Sequence, residues 1–244
     1  MLRRLLPGDF LGDPFDAARN VVLGAVLETN IGGVRTAGLI TEAEVYIGGS
    51  DKASHTYGYR RTERVMSQYE MGGHAYVFLV YGIHAQFCVV LGERDVPNVV
   101  LVRSVMPLWG TDEMLRRRGK IKPDDGIPSR RIKAKLDAAL CAGPGNATKA
   151  LGVTTRLNGV DLCASDENGL YVPAEPETGA GRDISSHAVM PCSDEALRAI
   201  LSARADEIVE APRVGIDYAE EYAAMKWRYY YRNNRFVSKK LRAQ

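Results

Sequence analysis

The stretch Leu39-Ile40-Thr41-Glu42-Ala43-Glu44-Val45-Tyr46-Ile47-Gly48-Gly49 predicts the central strand of the fold. It is rich in β-branched and aromatic residues and stops at two glycines, which is typical of a strand. Alternation places Glu42, Glu44 and Tyr46 on one face, with neighbouring side chains of that face roughly 6–7 Å apart. A carboxylate beside a flat ring suits a pocket that activates water next to an aromatic ligand. The alternative interpretation is a solvated face that carries two glutamates.

The segments around this strand predict a hairpin and two helices. The turn signal Asn30-Ile31-Gly32-Gly33 makes the central strand the second arm of a hairpin. Residues 14–27 have the pattern of an amphipathic helix that turns into a strand near Val26. Residues 51–55 can open a short helix with Ser50 as its N-cap.

A second hairpin is predicted at residues 74–91, with arms His74–Tyr81 and Gln86–Leu91 on either side of Gly82. Its tip carries Tyr81 and Ile83, whereas hairpin tips usually carry Asn, Asp and Gly. A large apolar tip in water suits a wedge between base pairs. The alternative is a hairpin that folds onto the core of its own domain.

The next predicted strand, Asn98–Val105, contains an arginine in an apolar run. A buried arginine must find a carboxylate or several acceptors, so we expect Arg103 to pair with Glu42 or Glu44. Further helices are predicted at 111–119, 130–141, 147–151, 193–209 and 220–226, a short strand at 213–216, and turn-rich chain at 154–192. Without a repeat or a linker, residues 1–244 predict a single α+β domain.

Composition excludes disordered and fibrous classes, since 45% of the 244 residues are hydrophobic and 25% are charged. The net charge of +2 is mild, but basic residues cluster at 116–135 and no acid follows Glu221. Such tracts fit a phosphate-backbone footprint or an ordinary solvated surface. The basic and aromatic stretch at 56–64 allows the same two interpretations.

Cysteine and histidine spacing predicts neither disulfides nor a metal site, because there is no Cys-x-x-Cys and no His-Glu-x-x-His. Cys88 lies in an apolar run and is expected to be a buried, reduced thiol. The basic start of the chain has no apolar core long enough for a signal peptide, and no apolar run approaches the length of a membrane span. These features predict a cytosolic protein without membrane association.

Short motifs along the whole chain resemble the alkyladenine (methylpurine) DNA glycosylases. They include Glu44-Val45-Tyr46-Ile47-Gly48, Asp51 with His55, Thr62-x-Arg64, Tyr76-Val77-Phe78 with Tyr81-Gly82, Val100-Leu101-Val102-Arg103, Gly143-Pro144-Gly145, Pro212-Arg213-Val214-Gly215-Ile216, Arg228-Tyr229-Tyr230 and Phe236-Val237-Ser238. The resemblance implies a curved antiparallel sheet with surrounding helices and a protruding hairpin that intercalates into DNA. It implies cleavage of the N-glycosidic bond of a flipped, damaged purine, without a cofactor or a metal.

The resemblance also assigns roles to residues at matching positions. Glu44 matches the general base that deprotonates water, and Arg103 and the backbone carbonyl of Val214 match the groups that hold this water. The positions expected to bind the extruded base are Tyr46, His55, Phe78, Cys88 and Leu101. The positions expected to contact DNA are Arg64, Tyr76, Tyr81 and Ile83. Of these, Tyr81 matches the intercalating wedge. The expected partner is double-stranded DNA with damaged purines, bound by a monomer that acts on the DNA of the nucleoid.

The chain departs from the family pattern in the expected pocket. Cys88 stands where the family carries an asparagine that is thought to help reject normal guanine, and Phe78 stands where a tyrosine is common. Met106 replaces a frequent glutamate near Arg103. Cysteine is smaller than asparagine and a weak donor, so we expect an altered lesion preference with the catalytic groups intact.

Two other functions remain open from the sequence. Glu42 and Glu44 could form a carboxylate pair that hydrolyses nucleosides or glycosides, and the chain could be a damaged-DNA-binding protein that has lost catalysis. No lysine accompanies Glu44 and Tyr46 in their motif to act as a Schiff-base nucleophile, which favours a monofunctional glycosylase that does not cleave the strand.

Overall fold

The computed structural model describes residues 1–122, 139–174 and 189–241. Its central element is β3, Val34–Tyr46, which pairs along one edge with β6, Asn98–Trp109. The other edge of β3 is shared, because β2, Val26–Ile31, pairs with its first half and β10, Arg228–Tyr231, with its second half. Residues 36–45 of β3 are all buried, and Glu42 and Glu44 are both 0% exposed. The solvated-face interpretation of the two glutamates was therefore wrong.

The strands of the described residues form one antiparallel sheet of ten strands, in the order β4-β5-β6-β3-β2-β7-β1-β8, with β10 on β3 and β9 on β10. The remaining strands are β1 (Leu2–Arg4), β4 (Ala75–Val80), β5 (His84–Leu91), β7 (Gly169–Pro173), β8 (Val189–Met190) and β9 (Ile208–Ala211). Both predicted hairpins, β2–β3 and β4–β5, are confirmed.

The helices confirm the α+β class. The α-helices are α1 (Pro14–Asp16), α2 (Thr111–Arg117), α3 (Pro144–Leu151) and α4 (Asp194–Arg204). A π-helix, Ala17–Val22, continues α1, and 3-10 helices occur at Pro7–Phe10, Glu63–Tyr69, Thr155–Leu157 and Asp217–Ala224. The predicted helix at 130–141 lies almost entirely outside the described residues. In the part of the chain that is described, no helix is long and apolar enough to cross a membrane.

Two predicted helices end earlier than their sequence patterns suggest. The helix predicted at 14–27 stops at Val22, because Gly24 adopts a positive φ of 80° and the chain pairs with β3 from Val26 onward. The helix predicted at 193–209 starts with Ser193 as its N-cap but ends at Arg204, and Val209 pairs with Tyr230 in β9 and β10. In both cases a strand partner competes with local helical propensity.

Two further predictions were wrong for a shared reason. Residues 51–55 form turns instead of a helix, since the Asp51 carboxylate accepts the Ala53 N–H at 2.9 Å and the Ile47 N–H at 3.3 Å. Residues 213–216 form a bend instead of a strand. Arg213 donates through its Nη2 to Asp51 Oδ1 at 2.9 Å, and both side chains are fully buried. One buried ion pair thus shapes both segments.

The β4–β5–β6 part of the sheet separates the main core from a second apolar cluster. On one face Ala75, Val77, Phe87 and Val89 belong to the main core, which helices α2 and α3 cover. On the other face a separate cluster contains Tyr76, Cys88 and Leu101, together with part of the 3-10 helix Glu63–Tyr69. Side chains along β4 alternate between these two faces, so the strand turns its aromatic face away from the main core.

Candidate active site

A cleft that opens to solvent lies on the aromatic face of β4, β5 and β6. All five residues predicted to bind a base line it, namely Tyr46, His55, Phe78, Cys88 and Leu101. Arg103 and Val214 also line the cleft. The structure therefore brings together residues from four strands and two loops that are far apart in sequence. Sequence reasoning missed Gln68, Gln86, Ile216 and Tyr218, which also line it.

Glu44 lies directly behind three of these lining residues. Its Oε2 accepts the Tyr46 hydroxyl at 2.9 Å, and its Oε1 accepts the Val214 N–H at 2.7 Å and lies 3.3 Å from Arg103 Nη1. The structure shows Val214 contacting Glu44 through its backbone N–H, whereas the sequence resemblance assigned a role to its carbonyl. The carboxylate is thus oriented by donors from β3, β6 and the loop before the 3-10 helix Asp217–Ala224.

Burial raises the pKa of Glu44 above its usual value, although Arg103, the Val214 N–H and the Tyr46 hydroxyl each act in the opposite direction. A carboxylate whose pKa lies closer to neutrality is a better proton acceptor at physiological pH than an ordinary one. The direction of this shift therefore fits a general base.

Glu42 has a different environment from Glu44. It accepts from Arg103 Nε and Arg228 Nη1 at 3.0 Å each, from Ser104 Oγ at 3.0 Å and from the Ser238 N–H at 2.7 Å. Burial acts to raise the pKa of Glu42, but Arg103, Ser238 and Arg228 together hold it below its usual value. The expected pairing of Arg103 with a carboxylate is confirmed, and it involves both glutamates.

The aromatic wall of the cleft is built from Tyr76, Phe78 and His55. Tyr76 and Phe78 stack with ring centroids 5.2 Å apart, and His55 meets Phe78 edge-on at 4.6 Å. The Tyr76 hydroxyl lies 2.8 Å from His55 Nδ1. Tyr76 is only 1% exposed, so it lies inside the wall and not on the surface where a DNA-contacting role would place it.

His55 is held as a neutral ring. Burial, together with the nearby charge of Arg64, lowers the pKa of His55 to about 4. The wall therefore presents uncharged, flat surfaces, which suits the stacking of a planar base.

Tyr46 forms a second flat surface and is supported from behind. The Arg213 guanidinium lies 4.5 Å from the Tyr46 ring centroid and 4.9 Å from that of Trp227. Because Arg213 is anchored by Asp51, the buried ion pair fixes the Tyr46 ring as well as the Val214 loop. The motifs that contain Asp51 and Arg213 were visible in the sequence, but their pairing was not.

Cys88 forms part of the floor of the cleft. It pairs across the sheet with Tyr76 on β4 and Leu101 on β6, and it is 2% exposed. Burial raises the pKa of the Cys88 thiol well above its usual range, so the group stays protonated. Cys88, Cys163 and Cys192 are free thiols.

The β4–β5 hairpin ends in an exposed apolar tip. Tyr81 is 91% exposed and Ile83 is 75% exposed, which excludes a hairpin folded onto its own core. The Ile83 N–H donates to the Val80 carbonyl at 3.2 Å, and both residues between them, Tyr81 and Gly82, have positive φ. This is the geometry of a type I′ turn, which normally selects Asn or Gly at the position of Tyr81.

A second cleft adjoins the first one and shares His55 and Tyr218 with it. Arg60 and Arg64 line this second cleft, and the Arg64 guanidinium lies 5.8 Å from the Phe78 ring centroid. Within the described residues, no group of three or more His, Cys, Asp or Glu side chains is arranged to hold a metal ion.

Comparisons with known proteins identify the family of this chain. A family model described as methylpurine-DNA glycosylase matches residues 9–235. A relative from Bacillus cytotoxicus is 37% identical over 234 residues, which cover 96% of this chain and 98% of the relative. Relatives from Clostridium perfringens (37% identical, 90% of this chain, 91% of the relative) and Chlamydia abortus (34%, 90% and 94%) are also similar. All three bear the name "Putative 3-methyladenine DNA glycosylase".

Proposed function

Since this chain belongs to the methylpurine-DNA glycosylase family, we propose that it hydrolyses the N-glycosidic bond of alkylated or deaminated purines in double-stranded DNA. The observation that carries this proposal is the position of Glu44, a buried carboxylate with a raised pKa directly behind an aromatic cleft. In this proposal a planar base stacks between the Tyr46 ring and the His55–Phe78 wall, which line the same cleft, and its sugar faces Glu44.

The reaction begins with extrusion of the damaged nucleotide from the duplex, which costs a few kcal/mol and costs least for badly paired bases. Tyr81 fills the gap that the base leaves in the stack. Water then attacks C1′, the bond from C1′ to the purine nitrogen breaks with its electron pair on the purine, and the proton of the water passes to Glu44. Arg103 and the Val214 loop hold the carboxylate and the water in place.

The geometry argues against a carboxylate pair that hydrolyses glycosides. Such enzymes need both carboxyl groups at the scissile bond. Glu42 contacts only one residue that lines the cleft, Arg103, and its other described partners lie outside the lining, whereas Glu44 contacts three lining residues. Among the described residues, no lysine lines the catalytic cleft, which supports base release without strand cleavage.

Single-turnover base release from duplex oligonucleotides tests the proposal. Each duplex carries one hypoxanthine, ethenoadenine or methylated purine, and wild type is compared with Glu44→Gln, which keeps the shape of the side chain but cannot accept the proton. We expect release by wild type and at least a hundredfold loss in the variant, since general base catalysis contributes about 10²–10⁴-fold.

Binding of the same duplexes is the control, and we expect Glu44→Gln to bind them as wild type does. A fully active Glu44→Gln enzyme would contradict the role of Glu44. A wild-type protein that binds all three duplexes but releases no base would instead be a damaged-DNA-binding protein.

A further inference from the structure

Two buried carboxylates share the same two arginines, and they share them unequally. Both arginines contact Glu42 Oε1 at 3.0 Å, Arg103 through Nε and Arg228 through Nη1. Their contacts with Glu44 are longer, at 3.3 Å for Arg103 Nη1 and 4.0 Å for Arg228 Nε. The positive charge in this part of the core is therefore drawn toward Glu42.

The second oxygen of Glu42 is also occupied. Its Oε2 accepts the Ser104 hydroxyl at 3.0 Å and the Ser238 N–H at 2.7 Å. Four donors thus surround Glu42, and it does not line the cleft. A carboxylate with four donors is held in one geometry, and of the four donor residues only Arg103 lines the cleft.

We propose that Glu42 is a positioning residue for Glu44, because it binds the two arginines that would otherwise both pair with Glu44. This inference rests on the proposed role of Glu44 as general base. With Glu42 in place, Glu44 keeps only the two longer contacts, to Arg103 and Arg228, and its carboxylate stays able to take up a proton. Without Glu42, Arg103 and Arg228 would turn to Glu44 and hold it as a bound anion.

The groups that face Glu44 come from five elements and include anionic, cationic and neutral groups. They are Glu42 and Tyr46 on β3, Cys88 on β5, Arg103 on β6, Arg228 on β10, and the Val214 N–H on the loop after β9. Arg213 of the same loop is bound by Asp51. Tyr46 and Cys88 remain protonated because burial raises the pKa of each. Glu42 is thus the one anionic side chain among these described neighbours.

The opposite pKa shifts of the two carboxylates support this arrangement. The pKa of Glu42 is lowered and that of Glu44 is raised, although both are fully buried and lie two residues apart on the same strand. Burial alone would raise both. At Glu42 the two arginines and the Ser238 hydrogen bonds outweigh burial, whereas at Glu44 burial and the neighbouring charge of Glu42 outweigh Arg103, Val214 and Tyr46.

The test is the pH dependence of single-turnover release of hypoxanthine by wild type and Glu42→Gln. Removing the charge of Glu42 frees both arginines and removes a negative neighbour, and both effects favour the ionised form of Glu44. We expect the acid limb of the profile to move to lower pH by about one unit. A carboxyl-¹³C titration of Glu44, assigned with Glu44→Gln, should move in the same direction.

Two variants guard against a purely structural effect. Glu42→Asp keeps the charge and should keep the wild-type acid limb. Glu28→Gln removes a buried carboxylate that pairs with Arg35. Arg35 lies on β3, nine residues before Glu44 and up to roughly 30 Å from it along the strand. We expect it to lower the melting temperature without moving the acid limb.

If Glu42→Gln does not fold, the double variant Glu42→Gln/Arg228→Gln removes the ion pair as a neutral unit and leaves Arg103 with Glu44 alone. The acid limb should again move to lower pH. An unmoved limb, or one that moves to higher pH, in a folded variant would overturn the inference. If wild type releases no base, the proposed function fails, and the carboxyl titration still decides whether Glu42 controls Glu44.

Discussion

Cys88 occupies the cleft floor between Tyr76 and Leu101, and at the scale of single residues it is the position that sets this pocket apart. Its thiol is neutral and nearly fully buried, so it offers a small surface and only a weak donor. An asparagine here would add volume and two strong polar groups that need partners. We therefore propose that the cysteine admits guanine-derived lesions that a larger polar residue would disfavour.

Cys88→Asn tests this idea in a competition between duplexes with 7-methylguanine and with hypoxanthine. We expect release of 7-methylguanine to fall about tenfold or more relative to hypoxanthine, because a poorly paired buried polar group costs about 1–3 kcal/mol. Cys88→Ala keeps the floor small and should keep the wild-type ranking. The same ranking for all three proteins would show that position 88 does not select the lesion.

At the scale of elements, the tip of the β4–β5 hairpin holds Tyr81 in a left-handed backbone conformation that tyrosine does not favour. Tyr81 has φ of +51° and is exposed to solvent. The left-handed conformation costs a residue other than Gly, Asn or Asp about 1–2 kcal/mol. A tyrosine that destabilises the tip and is 91% exposed among the described residues suits a contact made only when DNA is bound.

Tyr81→Asn separates these two effects. Asparagine favours this turn, so we expect the free energy of unfolding to stay the same or to rise by up to about 1 kcal/mol. Release of a base-paired lesion should fall about tenfold or more, since the wedge offsets an extrusion cost of a few kcal/mol. Release of the same lesion opposite an abasic site should fall much less.

The matched control is Val34→Asn, which removes an exposed apolar side chain from the start of β3 in the β2–β3 hairpin. We expect it to leave base release unchanged. Equal losses for paired and unpaired lesions in Tyr81→Asn would mean that the tyrosine acts in some way other than as a wedge.

The elements that were predicted correctly are those whose signals are local. Alternating apolar residues and turn glycines predicted β3, β4, β5 and β6, and Ser193 correctly marked the start of α4. The segments at 51–55 and 213–216 were wrong because their shape depends on an ion pair between residues 162 positions apart. No local pattern carries such information.

The site shows the same limit. The resemblance indicated which residues are expected to surround a base, and the structure places those residues in one cleft. The pairing of Arg103 with a glutamate was predicted, but the contacts of Glu42 with Arg228 and Ser238 were not, because these partners lie 186 and 196 positions away in sequence. Alternation placed Glu42 and Glu44 on one face but gave no reason to expect that one would be enclosed by donors and the other held at the cleft.

At the scale of the whole molecule, a net charge of +2 is too small to direct the protein to DNA, so local groups of cations must contact the phosphates. Arg60 and Arg64 are exposed in the second cleft, next to the catalytic cleft. A strand that enters the catalytic cleft must pass close to them. We infer that the second cleft holds the backbone beside the extruded nucleotide.

The salt dependence of binding tests this inference with Arg60→Ala. Loss of one phosphate contact should weaken binding to all duplexes alike and reduce the slope of log K against log salt concentration by about 1. Arg94→Ala is the control, because it makes the same change in net charge at a surface arginine that pairs with Glu70 and lines neither cleft. We expect its slope to match wild type. If both variants lower the slope equally, DNA responds to the net charge of the molecule and not to the second cleft.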